Sequence, residues 1–206
     1  MLTLYYAPGT CALASHIALE QAAAAYQAVR VDFSRNEQRS PEFLRVNPKG
    51  RVPALATERG ILTETPAILQ FIAQSFPQAG LAPLGDVFEL ARMNAFNSYL
   101  CSTVHVAHAH GRRGARWADD PAAIAEMRRK MTQNMGDCFE LIETEFLQGP
   151  WVLGERLSVS DAYLFTIASW LQGDGVDPAR FPRVADHTRR MLAQPAVSKV
   201  LAAQGA

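Results

Sequence analysis

The sequence predicts an α/β N-terminal domain followed by an all-α C-terminal domain. Strand and helix patterns alternate over residues 1–76, whereas beyond a proline- and glycine-containing segment the patterns indicate helices alone. The chain has 206 residues, of which 49% are hydrophobic, so it can bury a proper core in one large domain or two small ones. We therefore expect a first domain over 1–77, a linker over 78–85 and a helical domain over 86–206.

The first half begins with a short apolar run that predicts a strand, and a helix pattern follows. An alternating strand, a short helix, a hairpin around Arg59-Gly60 and another helix come next. This βαβ unit followed by ββα indicates a mixed sheet with helices packed on it. The predicted ranges are Leu2–Tyr6, Ala12–Ala23, Tyr26–Phe33, Pro41–Val46, Val52–Thr57 with Ile61–Leu62, and Pro66–Phe76.

The second half follows Pro77–Gly85, a segment that contains two prolines and two glycines. Ser158 and Asp161 have the spacing of a capping box. In that motif the Ser158 side chain caps the helix and the Asp161 carboxylate accepts a hydrogen bond from the Ser158 N–H. They predict the start of a buried helix and have a structural role. The predicted helices are Phe88–Ala109, Ala122–Phe146, Ser160–Leu171, Val184–Ala193 and Val197–Ala203.

The charge balance argues against several classes of partner. Twenty basic and twenty acidic residues give a formal net charge of zero, so no attraction to nucleic acid or to an anionic membrane is expected. We also find no pattern of a signal peptide or a membrane span. Three cysteines form an odd, sparse set, which suits a reducing compartment. We expect a cytoplasmic protein.

Cys11 lies at the junction between the first predicted strand and the first predicted helix. A thiol at that position is close to unpaired backbone N–H groups and to the positive end of the helix dipole. Such a setting stabilises thiolate, the nucleophilic form of cysteine. The alternative is that Cys11 is a small buried filler, as free cysteines often are.

Two further motifs indicate ligand binding. In 46–55 a turn at Pro48 and Gly50 leads into an apolar run interrupted by Pro53, which cannot donate to a sheet. A cis Val52–Pro53 bond would leave the Val52 backbone free for an extended peptide, whereas an ordinary trans proline on an edge strand would not. Glu64 and Thr65 lie at the start of a helix, where N–H groups bind a carboxylate and the Glu64 side chain can bind an ammonium, or they simply cap the helix.

These three motifs, in order and at this spacing, resemble the N-terminal domain of glutathione transferases, most closely the bacterial beta class. The resemblance implies an α/β thioredoxin-like N-terminal domain plus an all-α C-terminal helical domain, a homodimer, a detoxifying role, and glutathione as co-substrate without a metal. It further implies that Cys11 meets the glutathione sulfur, that Val52 before a cis Pro53 pairs with the cysteinyl backbone, and that Glu64 and Thr65 hold the γ-glutamyl end. For the glycyl carboxylate, Arg35 or Asn36 would replace the lysine of the family.

Cys101, His105 and His108 share one face of a predicted helix. Three such ligands suggest zinc, but a fourth ligand is missing and the three span about two turns. The resemblance instead places His105 opposite Cys11, where it would hydrogen-bond a sulfur and help to hold it as thiolate. The basic stretch 111–117 is either a solvated face or, if it folds over the cleft, a feature that favours anionic or aromatic co-substrates.

The sequence leaves three functions open. In the first, the protein is a glutathione transferase that presents glutathione thiolate to a small electrophile. In the second, Cys11 forms a mixed disulfide with glutathione and performs thiol–disulfide exchange, with Ala14 in place of a resolving cysteine. In the third, the protein binds glutathione or another ligand without turnover.

Overall fold

A four-stranded sheet forms the framework of the N-terminal half in the computed structural model, which describes residues 1–205. Strand β1 is parallel to β2 and antiparallel to β3, and β3 is antiparallel to β4. The predicted mixed sheet is therefore confirmed. The strands lie in the order β2-β1-β3-β4 and are β1 (Leu2–Tyr6), β2 (Tyr26–Arg30), β3 (Ala54–Thr57) and β4 (Gly60–Thr63).

Helices α1 (Ala12–Gln21), α2 (Pro41–Val46) and α3 (Thr65–Ser75) complete the N-terminal half. Ser40 caps α2 by accepting a hydrogen bond from the Phe43 N–H at 3.2 Å, and proline opens the helix with its φ already suited to it. Every residue from Ala12 to Leu19 of α1 is buried. A helix buried on all sides is covered by the sheet on one side and by other helices on the other.

Helices alone make up the regular structure of the C-terminal half, apart from isolated bridges at residues 151–156. Within residues 1–205, no helix is both long and apolar enough to span a membrane. Two π-helical turns, Leu100–Val104 and Ile142–Phe146, widen the two long helices that the sequence predicts as continuous. The helices are α4 (Val87–Tyr99), α5 (His105–Arg113), α6 (Pro121–Leu141), α7 (Val159–Ala168), α8 (Pro182–Leu192) and α9 (Pro195–Gln204).

The predicted capping box at the start of α7 is confirmed. Asp161 accepts a hydrogen bond from the Ser158 N–H at 2.7 Å, and the Ser158 hydroxyl accepts one from the Ser160 N–H at 3.3 Å. The same carboxylate also accepts the Val152 N–H at 2.8 Å and lies 3.0 Å from His187 Nε2. Asp161 is fully buried, so these bonds replace the water that the charge has lost.

The apolar core consists of one large cluster that spans both halves of the chain and a smaller cluster between α1 and the C-terminal helices. One cluster of buried side chains includes Leu4 of the sheet, Ala14 of α1, Tyr163 of α7 and Phe181 before α8. Helix α1 packs against α7 and α9, and all ten residues of α7 are buried. The sheet and the C-terminal helices therefore hold the start of α1 between them.

Strand β2 ends three residues earlier than the alternating pattern predicts. The Val31 N–H still donates to the Tyr6 carbonyl at 2.7 Å, but the Asp32 carboxylate then accepts hydrogen bonds from the Ser34 N–H and hydroxyl. Asp32 thereby starts a 3₁₀ turn over Phe33–Arg35, because short side chains that bond nearby backbone compete with the sheet.

Candidate functional site

A cavity of about 400 Å³ lies between the sheet and the first long helix of the C-terminal half. Its wall combines residues from the ends of several elements that are far apart in the chain. Three of the predicted site segments line it, namely Cys11, Val52 with Pro53, and Glu64 with Thr65. From the opposite side, Cys101, His105 and His108 also line it, as expected for residues on one helix face.

Cys11 occupies the N-cap position of α1 and is only 9% exposed. Its Sγ lies 3.6 Å from the Val52 carbonyl oxygen, to which the thiol donates a hydrogen bond. Burial raises the pKa of the Cys11 thiol, and the Thr65 hydroxyl and the Arg113 charge offset only part of this effect. Burial therefore opposes the thiolate form that the start of the helix favours.

The Val52–Pro53 peptide bond is cis, which is one of the two alternatives that the second motif left open and the one that the resemblance implied. Among residues 1–205 the Val52 N–H donates to no other group, so it remains available to a ligand. The buried Asn47 side chain holds the preceding loop by donating to the Arg51 carbonyl at 2.7 Å and accepting the Lys49 N–H at 3.2 Å. This loop therefore presents the Val52 backbone at the cavity wall.

Glu64 precedes α3 with a φ of 71°, which a non-glycine residue rarely adopts. Such strain is concentrated at functional sites, since the surrounding structure must impose it. The Glu64 carboxylate forms an ion pair with Lys49 and remains more than half exposed, while Thr65 is buried. The carboxylate and the first N–H groups of α3 thus lie side by side at the cavity.

His105 lies at the start of α5, with its ring centroid 4.9 Å from that of Trp170. Burial, and then the nearby charges of His108 and Arg113, lower the pKa of His105 to about 4. The ring is therefore neutral at pH 7. Within the described residues His105 makes no hydrogen bond to Cys11, whose thiol donates to the Val52 carbonyl, so of the two expected partners the glutathione sulfur remains the prediction.

His108 is held by a buried carboxylate behind the cavity wall. Its Nδ1 lies 2.7 Å from Asp174 Oδ2, and its ring stacks on Trp170 at 4.3 Å. Asp174 also accepts a hydrogen bond from Arg112 Nε at 3.1 Å. Arg112 is therefore engaged outside the cavity, whereas Arg113, its neighbour in the chain, lines the cavity.

Arg35 does not line the cavity, and this corrects the expectation that it lies near a ligand carboxylate. It belongs to the exposed 3₁₀ turn that Asp32 starts, and Asn36 then turns the chain with a φ of 58°. Arg39 lies at the cavity instead, because the turn brings it against the next loop: a Cβ on Gly50 would meet the Arg39 guanidinium at 2.9 Å.

Tyr163 is a site residue that the sequence did not reveal. Its side chain is fully buried and lines the cavity, yet within residues 1–205 its hydroxyl has no well-formed hydrogen bond. It lies beside Cys101, and burial followed by the two cysteines Cys11 and Cys101 raises its pKa, so the hydroxyl keeps its proton. An apolar helix pattern conceals such a residue, because nothing local distinguishes it from core. A buried hydroxyl without a partner is one that a ligand can satisfy.

The described part of the chain contains no group of three His, Cys, Asp or Glu side chains arranged to hold a metal ion. Cys101, His105 and His108 share the cavity wall, but Asp174 and Trp170 engage the His108 ring.

The same arrangement of sheet and helices occurs in proteins of known family. Residues 1–74 match the family description "Glutathione S-transferase, N-terminal domain", and residues 115–190 match "Glutathione S-transferase, C-terminal domain". Glutathione S-transferase GstA of Escherichia coli O157:H7 is 29% identical over 207 residues, which cover 99% of both chains.

Two solved structures extend this similarity. A glutathione transferase homologue from Sulfitobacter, with bound glutathione, is 46% identical with a TM-score of 0.96 and 98% coverage of both chains. A bacterial beta class glutathione S-transferase from Sphingomonas chungbukensis is 33% identical with a TM-score of 0.87, also over 98% of both chains. The chain therefore belongs to the glutathione S-transferase family.

Proposed function

We propose that this protein binds glutathione in the described cavity and transfers its sulfur to a small electrophile. The observation that carries the proposal is that one cavity brings together Cys11, the Val52 backbone before a cis proline, the Glu64–Thr65 helix start and His105. A tripeptide with a thiol, an ammonium and two carboxylates matches these groups. The free Val52 N–H would pair with the cysteinyl carbonyl, and Glu64 with the N–H groups of α3 would hold the γ-glutamyl end.

In place of Arg35, we assign the glycyl carboxylate to the cations beside the Val52 loop, Arg39 and Arg51, because both line the cavity. Arginine binds a carboxylate with two parallel hydrogen bonds, so one guanidinium there would fix that end of the peptide.

The sulfur chemistry follows from the protonation states. His105 is neutral at pH 7, and the one ring nitrogen that carries a hydrogen can donate it to a thiolate. The thiol proton of glutathione leaves to solvent, the thiolate attacks the electrophilic carbon, a C–S bond forms and the leaving group departs with its electron pair. Cys11, still a thiol, would turn its S–H from the Val52 carbonyl to the glutathione sulfur and donate a hydrogen bond there.

The experiment compares the wild type with Cys11→Ala and, as a matched control outside the cavity, Cys138→Ala. Conjugation of glutathione to 1-chloro-2,4-dinitrobenzene is followed by absorbance. We expect the wild type and Cys138→Ala to turn over equally and Cys11→Ala to lose rate. Absence of turnover in the wild type, together with absence of glutathione binding by calorimetry, would contradict the proposal.

A second candidate, thiol–disulfide exchange, is favoured by the presence of another thiol in the cavity. Cys101 lines the same cavity as Cys11 from the opposite side, although no cysteine follows Cys11 at the fourth position. Attack of the Cys11 thiolate on a mixed disulfide of glutathione and a small thiol would form a Cys11–glutathione disulfide and release the small thiolate. A second glutathione thiolate would then attack the bound glutathione sulfur, which releases glutathione disulfide and regenerates the Cys11 thiolate. Intact mass after incubation with glutathione disulfide tests this: an adduct on the wild type that is missing from Cys11→Ala supports it, and no adduct contradicts it.

We further propose a cytoplasmic homodimer with a detoxifying role. Free Cys11, Cys101 and Cys138 support a reducing compartment. The large apolar side chains of Val87 and Phe88 on α4 are 85% and 72% exposed, which supports a partner on that face. Sedimentation of the wild type beside Phe88→Lys tests the dimer, since a charge there should shift the protein to monomer.

The division into a domain over 1–77 and a helical domain over 86–206, joined by 78–85, is part of the same proposal. It is supported by the last strand ending at Thr63 and by Asp86 capping α4 through the Phe88 and Glu89 N–H groups. Ala206, the final residue of the second proposed domain, lies outside the described residues.

A further inference from the structure

Four arginines from three separate parts of the chain meet at the cavity: Arg39, Arg51, Arg113 and Arg116. Within residues 1–205 none of the four forms an ion pair, so no carboxylate of the described chain compensates their charge. Glu64 is the one acidic side chain among the described lining residues, and Lys49 already neutralises it. The cavity therefore concentrates positive charge in a chain whose formal net charge is zero.

The four charges interact with one another. The pKa of Arg116 is lowered, first by burial and then by the positive charges of Arg113, Arg51 and Arg39. Grouping like charges costs free energy unless an anion compensates them, so an anionic ligand is what this arrangement recognises.

Glutathione alone does not compensate this charge. With two carboxylates, one ammonium and a thiolate, it brings a net of two negative charges against the four guanidinium groups. Arg39 and Arg51 lie beside the Val52 loop and would serve the glycyl end. Arg113 and Arg116 lie on the C-terminal side with Trp117, an indole that is 48% exposed and lines the cavity.

We infer that the second substrate is itself an anion, a planar electrophile or a disulfide that carries a carboxylate or sulfonate, and that Arg113 and Arg116 bind its charge. This inference rests on the proposed function. Trp117 and Trp170 supply flat apolar surfaces beside these arginines, which favours an aromatic ring next to the anionic group. The bidentate guanidinium groups suit a carboxylate or a sulfonate equally well.

The test uses two electrophiles with the same ring and leaving group, 4-chloro-3,5-dinitrobenzoate and its uncharged amide. Each kcat/KM is divided by the uncatalysed rate with glutathione, which removes the difference in intrinsic reactivity. The proteins are the wild type, Arg113→Gln with Arg116→Gln, and Arg128→Gln as a control. Arg128 is exposed on α6 and lies outside the cavity.

We expect the wild type to prefer the benzoate. Each replaced arginine should lower the ratio of benzoate to amide kcat/KM by about tenfold, while kcat/KM for the amide changes little. Arg128→Gln should behave as the wild type. Raising the salt concentration should reduce the preference of the wild type, because screening weakens the attraction of exposed charges. Equal efficiency on both substrates, or a preference that survives in the double variant, would overturn the inference and leave the transferase proposal intact.

Two additional measurements separate the possible sources and the possible failures. Formation of a mixed disulfide on Cys11, followed by intact mass, is compared for glutathione disulfide and 2-hydroxyethyl disulfide; in each case the Cys11 thiolate attacks the disulfide and one thiolate leaves. A wild-type preference for glutathione disulfide that the double variant loses would identify the anion as a second glutathione. Quenching of tryptophan fluorescence by unreactive 3,5-dinitrobenzoate and its amide reports binding without turnover. If the protein binds the benzoate more tightly than the amide but conjugates neither electrophile, the result counts against the proposed function alone. If it binds the benzoate and the amide equally, the result counts against the inference.

Discussion

Replacing His105 by asparagine should remove a large part of the acid sensitivity of the fold. The pKa of the ring is lowered to about 4, first by burial and then by neighbouring positive groups, whereas an unfolded histidine titrates near pH 6.5. Between these values the unfolded chain binds a proton that the folded protein does not. The free energy of unfolding is therefore highest above about pH 6.5 and falls as the pH approaches 4.

The magnitude follows from the difference between the two pKa values. Each pKa unit corresponds to about 1.4 kcal/mol, so His105 alone accounts for a loss of about 3 kcal/mol between pH 7 and pH 4. Asparagine keeps a polar group but cannot ionise. The difference in free energy of unfolding between pH 7 and pH 4 should therefore be about 3 kcal/mol smaller in His105→Asn than in the wild type.

Urea titrations followed by tryptophan fluorescence at a series of pH values measure this difference, and His105→Gln provides a second non-ionisable variant. Comparison with the wild type cancels the other groups that titrate in this range, such as His16, whose pKa is also lowered by burial. If both variants keep the wild-type pH dependence to within about 1 kcal/mol, His105 is not held neutral by burial and the reasoning fails.

Three other substitutions have outcomes that the structure determines. Tyr163→Phe removes a buried hydroxyl that has no well-formed hydrogen bond within residues 1–205, so the melting temperature without ligand should hold or rise while kcat/KM for conjugation falls. A drop in both quantities would mean that the hydroxyl is structural. Asp161→Asn turns an amide donor toward groups that already donate, so the free energy of unfolding from urea titration should fall by about 3 kcal/mol or more. A fall of less than about 1 kcal/mol would contradict the buried network. Gly111→Ala places a Cβ 2.7 Å from Met131 Cβ and should lower the free energy of unfolding by about 1–3 kcal/mol. In Gly85→Ala the new Cβ meets nothing within 4 Å, so the decrease should be far smaller. Equal effects would contradict the close packing of α5 on α6.

The parts of the site that depend on local backbone chemistry could be predicted from sequence. A proline in an apolar run made a cis bond before β3 one of two alternatives, and serine and aspartate three residues apart indicated the start of α7. In each case the deciding residues are neighbours in the chain, so the relevant physics is contained in a short window.

The cations could not be assigned in this way, because their positions depend on how loops fold back. Arg35 and Arg39 are both close to the expected position in sequence, and the left-handed turn at Asn36 decides that only Arg39 reaches the cavity. Arg112 and Arg113 look equivalent in the sequence, but successive helical residues point in different directions, and Asp174, far along the chain, engages Arg112.

The core that spans both halves has a consequence for how the protein accommodates a ligand. Because α1 is held between the sheet and helices α7 and α9, pulling the two halves apart would expose buried residues along its whole length. The two halves therefore do not open and close as rigid bodies about a hinge. Long exposed side chains that line the cavity, such as Arg39, Arg116 and Trp117, can instead adjust to a ligand at little cost. Two of these three side chains, Arg39 and Arg116, belong to the four arginines that give the cavity its positive charge, so a bound anion would restrict the most mobile part of the lining.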